Sequence, residues 1–320
     1  MSGESRWLRW VTVESCVTAR TSRRERFAVY NGLNLCHSRG PRPSEGEFMP
    51  GPAYDHFISH DGLAIAYRAS GHGRPVILIH GYTVTSTVNF AMHYGFTDGG
   101  GLEATAGPTV ESALLDAGFQ VVMYDLRGHG HSAKPHVRGC YDMEAHVGDV
   151  QALVDHLSLA RPAVVGYSLG SMIAGRLLGF PWVSAAALCG TGSYHVEGES
   201  ADLDAQRADV ARCFSEGCWD DYPDLRIFRV WADLDEDPDY LALAAVARGI
   251  EGIPKDILSA ATMPVLVLNG GADDGATDGF DLTPFVPGAR RAVAGSGDHS
   301  IAPSDPLFHR ELASFLQTGS

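Results

Sequence analysis

The sequence predicts an α/β fold with a mostly parallel sheet, and three observations support this prediction. From Tyr54 onward, short apolar runs alternate with segments of helix length. The runs are nearly continuous in aliphatic and β-branched residues, which is typical of strands buried on both faces of a parallel sheet. The last segment of the chain carries the start signals of a helix. Alternation of strand and helix indicates the α/β class.

The strands are predicted in order along the chain. The stretch DHFISHDGLAIAYR, at residues 55–68, predicts a β-hairpin in which Asp61 and Gly62 supply positive φ angles to a tight turn. Because the remaining apolar runs are short and bounded by glycine, proline or polar residues, each predicts one strand. They lie at residues 75–81, 119–125, 162–168, 183–190, 264–270 and 289–295.

Helices are predicted between these strands. In the terminal helix, Asp305 is a candidate N-cap and Pro306 fits the first helical position. Phe308, Leu312 and Phe315 then fall on one side of the helix, as expected of a face that packs on a core. The predicted helices cover residues 109–117, 143–157, 170–178 and 305–316.

The composition predicts three regions along the chain. Residues 1–50 hold eight arginines and no lysine, and the stretch RGPRPSEGEFMPGP at their end has the glycine, proline and polar residues of a linker, so we expect a poorly ordered N-terminal extension. Residues 51–190 and 261–320 carry the strand and helix pattern of the core. Residues 191–260 predict a helical cap insertion with helices near 202–216 and 238–248, and the glycine-rich stretch 89–109 predicts a second insertion rather than sheet.

Charge and cysteine content exclude several classes of function. The net charge is −15, and residues 197–239 hold 14 acids against four arginines, so nucleic acid is not an expected partner. No apolar stretch is long enough for a membrane helix, and we expect a cytoplasmic protein without a membrane partner. The six cysteines lack paired Cys-x-x-Cys spacing, so we expect free thiols and no zinc site. The sequence has no His-Glu-x-x-His motif, and GTGSYH at 190–195 does not complete the Gly-x-Gly-x-x-Gly motif of dinucleotide enzymes, so we expect no metal and no cofactor. The oligomeric state stays open.

A candidate nucleophile lies in the stretch GYSLG. Ser168 directly follows an apolar run and precedes a helix-like segment, which is the strand-to-helix turn that exposes a reactive serine. Gly166 and Gly170 are expected to be glycine because side chains there would collide at a sharp turn. Gly-x-Ser-x-Gly is a weak pattern by itself, so the serine needs partners elsewhere in the chain.

The partners are a base, an acid and two donors for an oxyanion. His299, in GSGDHS after the last strand, is the candidate base, and Asp273 or its neighbour Asp274 is the candidate acid that orients it. The backbone N–H groups of Leu169 and Tyr82 are the candidate oxyanion donors. His80 is expected to support its loop, and His129 and His131 are expected to have structural roles there.

These motifs together resemble a known family. HGY at 80–82, DLRGHGHS at 125–132, GYSLGS at 166–171, NGGADD at 269–274 and GDHS at 297–300 are similar, in order and spacing, to the α/β-hydrolase family, in its serine hydrolase or esterase branch. The resemblance runs from about Tyr54 to Leu316. It implies an eight-stranded, mostly parallel sheet flanked by helices, with a small helical cap. It also implies the roles given above to the serine, the Asp273 carboxylate, the histidine and the two donors.

The leading hypothesis is a cofactor-free serine hydrolase that cleaves a small carboxylic ester, a lactone or a thioester through an acyl-enzyme. Serine at this position argues against relatives of the fold that use aspartate to open epoxides or displace halide. The alternatives are a perhydrolase or haloperoxidase-like enzyme, a C–C bond hydrolase with the same triad, and a non-catalytic ligand-binding protein. Six aromatic residues are candidates to line the pocket: Phe90, Tyr94, Phe96, Trp219, Tyr222 and Trp231.

Overall fold

An eight-stranded sheet forms the centre of the fold, in a computed structural model that describes residues 54–96, 102–199 and 201–319. The extension predicted at residues 1–50 lies outside the described residues. None of the described helices combines the length and hydrophobicity needed to span a bilayer.

The sheet is mostly parallel, which confirms the predicted fold class. Its strand order is β1-β2-β6-β3-β7-β8-β9-β10; β1, β2 and β6 pair antiparallel, and the pairs from β6 to β10 are parallel. A separate two-stranded sheet joins β4 and β5. The strands are β1 (Asp55–Ile58), β2 (Ala64–Ser70), β3 (Arg74–Ile79), β4 (His93–Phe96), β5 (Leu102–Thr105), β6 (Phe119–Tyr124), β7 (Ala163–Tyr167), β8 (Ala186–Cys189), β9 (Val265–Asn269) and β10 (Arg290–Val293).

Burial on both faces explains why the strand sequences are almost continuously apolar. In β3, Ile77 and Ile79 pack into one hydrophobic cluster, while Val76 and Leu78 pack into the cluster on the opposite face. Successive side chains of a strand point to opposite faces, so every position of such a strand meets a core. Every residue of β7, β8 and β9 is buried.

Helices cover the sheet, and their ends follow the capping residues in the sequence. Asp305 accepts a hydrogen bond from Leu307 N–H at the start of the terminal helix, as predicted. Thr109 and Ser112 form a reciprocal capping box at the start of the second helix. The helices are α1 (Ser86–Phe90), α2 (Val110–Asp116), α3 (Met143–Leu157), α4 (Leu169–Arg176), α5 (Ala201–Glu216), α6 (Arg226–Ala232), α7 (Tyr240–Gly249), α8 (Lys255–Ser259) and α9 (Pro306–Thr318).

The structure corrects two details of the sequence prediction. In the first hairpin only Gly62 has a positive φ, of 87°, because Ser59 and Leu63 close a wider loop in which Asp61 keeps a negative φ. The expectation that residues 89–109 contain no sheet is wrong, because β4 and β5 pair there. Tyr94 N–H of β4 also donates to Ser304 Oγ, which ties this small sheet to the segment before α9.

The segment between β8 and β9 contains four helices, α5 to α8. The first and third of them, α5 and α7, correspond to the two helices expected near 202–216 and 238–248. The shorter α6 and α8 were not expected, since each has seven residues or fewer and little periodicity. The division into core and cap stays a prediction.

Candidate active site

Ser168 lies at the turn between β7 and α4 in an unusual backbone conformation. Its φ is 54° and its ψ is −115°, a region that residues with a side chain rarely adopt. The turn is held on both sides: Ser168 N–H donates to Cys189 O at 2.9 Å, and Ser168 O accepts from Ser171 N–H at 2.9 Å. Surrounding hydrogen bonds therefore maintain a strained turn that projects the serine beyond the sheet.

The two glycines that flank this turn are required by close packing. A Cβ atom on Gly166 would lie 2.0 Å from Gly170 O, and one on Gly170 would lie 1.9 Å from Ile79 O. Both contacts are with backbone atoms, which cannot move aside as a flexible side chain can. The first turn of α4 therefore packs directly against the end of β3.

His299 and Asp273 are hydrogen-bonded to each other beside this turn. His299 Nδ1 lies 2.9 Å from Asp273 Oδ2, and both side chains are buried, with His299 7% and Asp273 2% exposed. The other oxygen of Asp273 accepts from Gly275 N–H at 3.0 Å, which fixes the carboxylate. Of the two candidate acids, Asp273 is the one that supplies this oxygen. A carboxylate at Nδ1 keeps the ring hydrogen on that nitrogen and leaves Nε2 as the proton acceptor.

Tyr167, the last residue of β7, contacts both the backbone and the ring of His299. Tyr167 Oη donates to the backbone oxygen of His299 at 2.7 Å, and the two rings pack with centroids 5.2 Å apart. On another side, the ring of Trp231 in α6 lies 6.2 Å from the His299 ring. The histidine is thus positioned by its main chain, by Asp273 and by two aromatic neighbours.

Ser168 and His299 line the same pocket, which has an empty volume of about 540 Å³ including space open to solvent. Its wall is mainly apolar. Of the six aromatic candidates, Tyr94 and Trp231 line it, whereas Phe90 is buried in the core and the expectation for that residue is wrong. Trp219 and Tyr222 pack against the hydrophobic core instead, and the side chain of Phe96 lies outside the described residues. The other lining residues are Gly81, Tyr82, Val84, Val88, Asn89, Met92, Tyr167, Leu234, Ser300, Pro303 and Ser304.

The chain at Tyr82 is oriented by hydrogen bonds to its neighbours. Gly81 N–H donates to Asn89 Oδ1 at 2.8 Å, and Thr83 N–H donates to His129 Nε2 at 3.1 Å. No described residue accepts a hydrogen bond from the N–H of Tyr82 or of Leu169. Leu169 is the first residue of α4, where backbone N–H groups have no partner within the helix. Two uncommitted donors thus lie beside the pocket, one in the segment after β3 and one at the start of α4.

Asn89 was missed in the sequence. It lies in α1, one residue before a core phenylalanine, and nothing in its immediate neighbours distinguishes it from a surface residue of a short helix. Its side chain both holds Gly81 N–H and lines the pocket. Only the helix signal after HGY, an N-cap at Thr85 that accepts from Val88 N–H, could have indicated that α1 folds back onto the loop.

The histidines of the adjacent loops are committed to the backbone on both ring nitrogens. His80 Nε2 accepts from Leu126 N–H at 2.8 Å, so Nδ1 carries the hydrogen and donates to Gly81 O at 2.7 Å. His129 Nδ1 likewise pairs with Arg127 O at 3.2 Å. Burial lowers the pKa of His80 and holds the pKa of His129 well below its usual range. Both rings are therefore neutral supports of the loop.

Arg127 is the centre of a second buried polar cluster. Its guanidinium contacts both oxygens of Asp149, at 2.6 and 2.7 Å, and donates to Asp61 Oδ2 at 2.7 Å. Arg127 and Asp149 have no exposed side-chain surface. His60, Asp61 and Asp149 lie close enough together to hold a metal ion, but the Arg127 guanidinium already forms ion pairs with both carboxylates. This arrangement fits a structural ion pair better than a cation site.

Comparison with known proteins gives both sequence and structural relatives. A family model described as alpha/beta hydrolase fold matches residues 74–210. A non-heme chloroperoxidase of Kitasatospora aureofaciens is 31% identical over 121 residues, which is 38% of this chain and 37% of that protein. A non-heme haloperoxidase of Rhodococcus erythropolis is 32% identical over 110 residues, 34% of this chain and 33% of the relative. The match therefore spans about a third of the length of these relatives.

Solved structures resemble a larger part of the chain. An esterase from Exiguobacterium antarcticum superposes with a TM-score of 0.65 at 19% identity, over 83% of this chain and 100% of its own. An enol-lactonase from Burkholderia xenovorans gives a TM-score of 0.63 at 21% identity, over 82% and 100%. At such low identity the likeness establishes the fold alone.

Proposed function

The chain belongs to the α/β-hydrolase family, and we propose that it is a cofactor-free serine hydrolase that cleaves a small carboxylic ester, lactone or thioester through an acyl-enzyme. The observation that carries the proposal is the buried Asp273–His299 hydrogen bond beside a pocket that Ser168 also lines. A serine hydroxyl needs a base to become nucleophilic, and the base needs a group that fixes its tautomer.

In the proposed mechanism, His299 Nε2 takes the proton of Ser168 Oγ as the oxygen attacks the carbonyl carbon of the ester. The negative charge that develops on the carbonyl oxygen is stabilised by the N–H groups of Tyr82 and Leu169. His299 then gives its proton to the leaving alcohol or thiol, and the acyl-enzyme remains. Water, deprotonated by the same nitrogen, attacks the acyl carbon and releases the acid and the serine.

The apolar wall of the pocket supports a substrate whose acyl or alcohol part is small and uncharged. Val84, Val88, Met92 and Leu234 contribute aliphatic surface there. A charged group would lose its hydration against this wall without gaining a partner. Short-chain nitrophenyl esters are therefore suitable first substrates.

The test is covalent labelling combined with turnover of a nitrophenyl ester. We expect a fluorophosphonate to label the wild-type chain at Ser168, and Ser168→Ala to lose both labelling and about 10⁵- to 10⁶-fold of the turnover while keeping its melting temperature. Ser259→Ala, at an exposed serine of α8, is the matched control and should behave as wild type. A chain that is folded but neither labelled nor active would support the ligand-binding alternative instead.

A second candidate is peracid formation, supported by the 31–32% identity to non-heme haloperoxidases over part of the chain. In this reaction hydrogen peroxide, in place of water, attacks the acyl carbon of the acyl-enzyme. The products are a peracid and the free serine. The measurement is peracid formed from acetate and peroxide, against ester hydrolysis by the same preparation. If the preparation forms peracid faster than it hydrolyses the ester, peracid formation would replace ester hydrolysis as the proposed function.

A further inference from the structure

Two cysteines meet at the C-terminal end of α5. Cys213 Sγ and Cys218 Sγ lie 3.0 Å apart, and both are free thiols in the structure. The contact follows from the sequence: Gly217 has a φ of 76°, and its N–H donates to Cys213 O at 2.9 Å. This left-handed turn ends the helix and brings the residue after the glycine back over the last turn.

We propose that Cys213 and Cys218 form an oxidative modification site at which hydrogen peroxide converts the two thiols into a disulfide. The sulfurs of a disulfide lie about 2.05 Å apart, so the observed pair needs to approach by roughly 1 Å. The turn at Gly217 already brings the two sulfurs into contact, so the remaining approach is short.

The unequal burial of the two thiols sets the order of the steps. Cys213 is fully buried, and burial together with the adjacent thiol raises its pKa, whereas Cys218 is only half-buried. The Cys218 thiolate therefore attacks peroxide first; the O–O bond breaks, hydroxide leaves and takes up the thiol's proton as water, and a sulfenic acid remains. Cys213 then attacks the Cys218 sulfur, and its proton leaves with the hydroxyl group as a second water. Two thiols and one peroxide give one disulfide and two waters.

The pair lies next to residues that contact the candidate active site. The ring of Phe214 packs against that of Trp219, with centroids 4.9 Å apart, and against that of Tyr82 at 6.2 Å. Tyr82 carries one of the proposed oxyanion donors. A disulfide between the neighbours of these two rings would fix their mutual position. An effect of oxidation on turnover rests on the proposed hydrolase function; formation of the disulfide does not.

Peptide mapping of the full chain tests the site directly. Trypsin cuts after Arg212 and Arg226, so one peptide, residues 213–226, contains both cysteines. After peroxide treatment and alkylation under denaturing conditions, we expect this peptide to lose two hydrogens and take up no alkyl group. Dithiothreitol before alkylation should restore two alkylation sites. Cys140 and Cys189 serve as internal controls and should stay alkylated, since no sulfur partner of either is found among the described residues.

Variants decide between a paired site and ordinary oxidation of one thiol. Cys213→Ser should leave Cys218 to oxidise beyond the sulfenic acid, and Cys218→Ser should leave Cys213 reduced. Tryptophan fluorescence of the native chain should change on oxidation and return with dithiothreitol, and neither variant should show this change. The proposal is overturned if the wild-type peptide keeps two alkylation sites after peroxide, or if Cys218 gains oxygen without pairing. A disulfide that forms without any change in ester hydrolysis would leave the site intact and remove only its link to turnover.

Discussion

Three buried histidines, His80, His129 and His299, lie near the same edge of the sheet. They differ in the surroundings of the second ring nitrogen. His80 and His129 use both ring nitrogens for backbone groups, at distances from 2.7 to 3.2 Å. His299 uses one nitrogen for Asp273, and its ring lines a pocket beside Ser168. The residue type and the burial are the same, so neither one identifies a reactive group.

The same contrast separates two of the buried carboxylates, Asp149 and Asp273. Asp149 is fully occupied by Arg127, a permanent cation, whereas Asp273 is paired with a ring that can gain and lose a proton. A buried polar group is structural when every partner is fixed, and it can take part in chemistry when a partner titrates or faces a cavity. The predictions below test this distinction, beginning with the largest expected effect.

The exchange Asp273→Asn should lower kcat for ester hydrolysis by about 10⁴-fold, because an amide at this position favours the wrong tautomer of His299. The melting temperature should change little, since asparagine keeps the size of the side chain and an oxygen for Gly275 N–H. Steady-state kinetics and thermal unfolding are the two measurements. Asp274→Asn is the matched control. If this variant lost kcat and Asp273→Asn did not, Asp274 would be the acid that orients His299.

The exchange Asp149→Asn should have the opposite effect: it should lower stability and leave kcat unchanged. Removing the negative charge leaves the buried Arg127 guanidinium poorly compensated, and we expect the free energy of unfolding to fall by about 3–5 kcal/mol. The protein that remains folded should keep its kcat. Urea unfolding measures the loss, and Glu111→Gln, which breaks the more exposed pair with Arg68, should cost less than about 1 kcal/mol. Equal losses in the two variants would contradict the comparison.

The exchange Asn89→Ala should lower kcat by about 10- to 100-fold with little change in KM. Its Oδ1 orients the Gly81 peptide, and with it the N–H of Tyr82, so the loss should fall on the transition state rather than on substrate binding. Separate values of kcat and KM for short-chain esters show which of the two parameters changes. A rise in KM with unchanged kcat would show that Asn89 only shapes the pocket.

A smaller effect is expected from His146 as the pH falls. Burial first, and then Arg127 and His80, lower the pKa of His146 to about 3, against 6.5 for an exposed histidine. The unfolded chain therefore binds a proton that the folded chain excludes, and stability is lost as the pH falls from 6.5 toward 3. This histidine alone should cost about 1.6 kcal/mol between pH 6.5 and pH 5. His146→Leu should flatten the acid side of the stability curve measured by urea unfolding; an unchanged slope would refute the assignment.

Local sequence signals were enough for the central strands of the sheet, because each of these strands buries both faces and its apolar run is self-contained. They also sufficed for the turn at Ser168 and the cap at Asp305, which depend on adjacent residues. The signals failed where a contact spans distant parts of the chain. The residues around Asn89 do not indicate that its side chain binds Gly81 N–H. Likewise, the local sequence does not show whether Asp273 or Asp274 is the partner of His299, which lies 26 or 25 residues further along the chain. Periodicity in the sequence was too weak to predict the short helices α6 and α8 or the pair of strands β4 and β5.

The packing of Gly170 against Ile79 has a consequence for engineering of this protein. Since β3 and β7 are paired neighbours and the first turn of α4 packs against the end of β3, the sheet itself sets the spacing between the amides of Tyr82 and Leu169, the two proposed oxyanion donors. Exchange of the Tyr82 side chain, which lines the pocket, would reshape the pocket yet leave both amides in place. Selectivity can therefore be redesigned at this position with the proposed donors preserved, whereas one added methyl group at Gly166 or Gly170 would displace them.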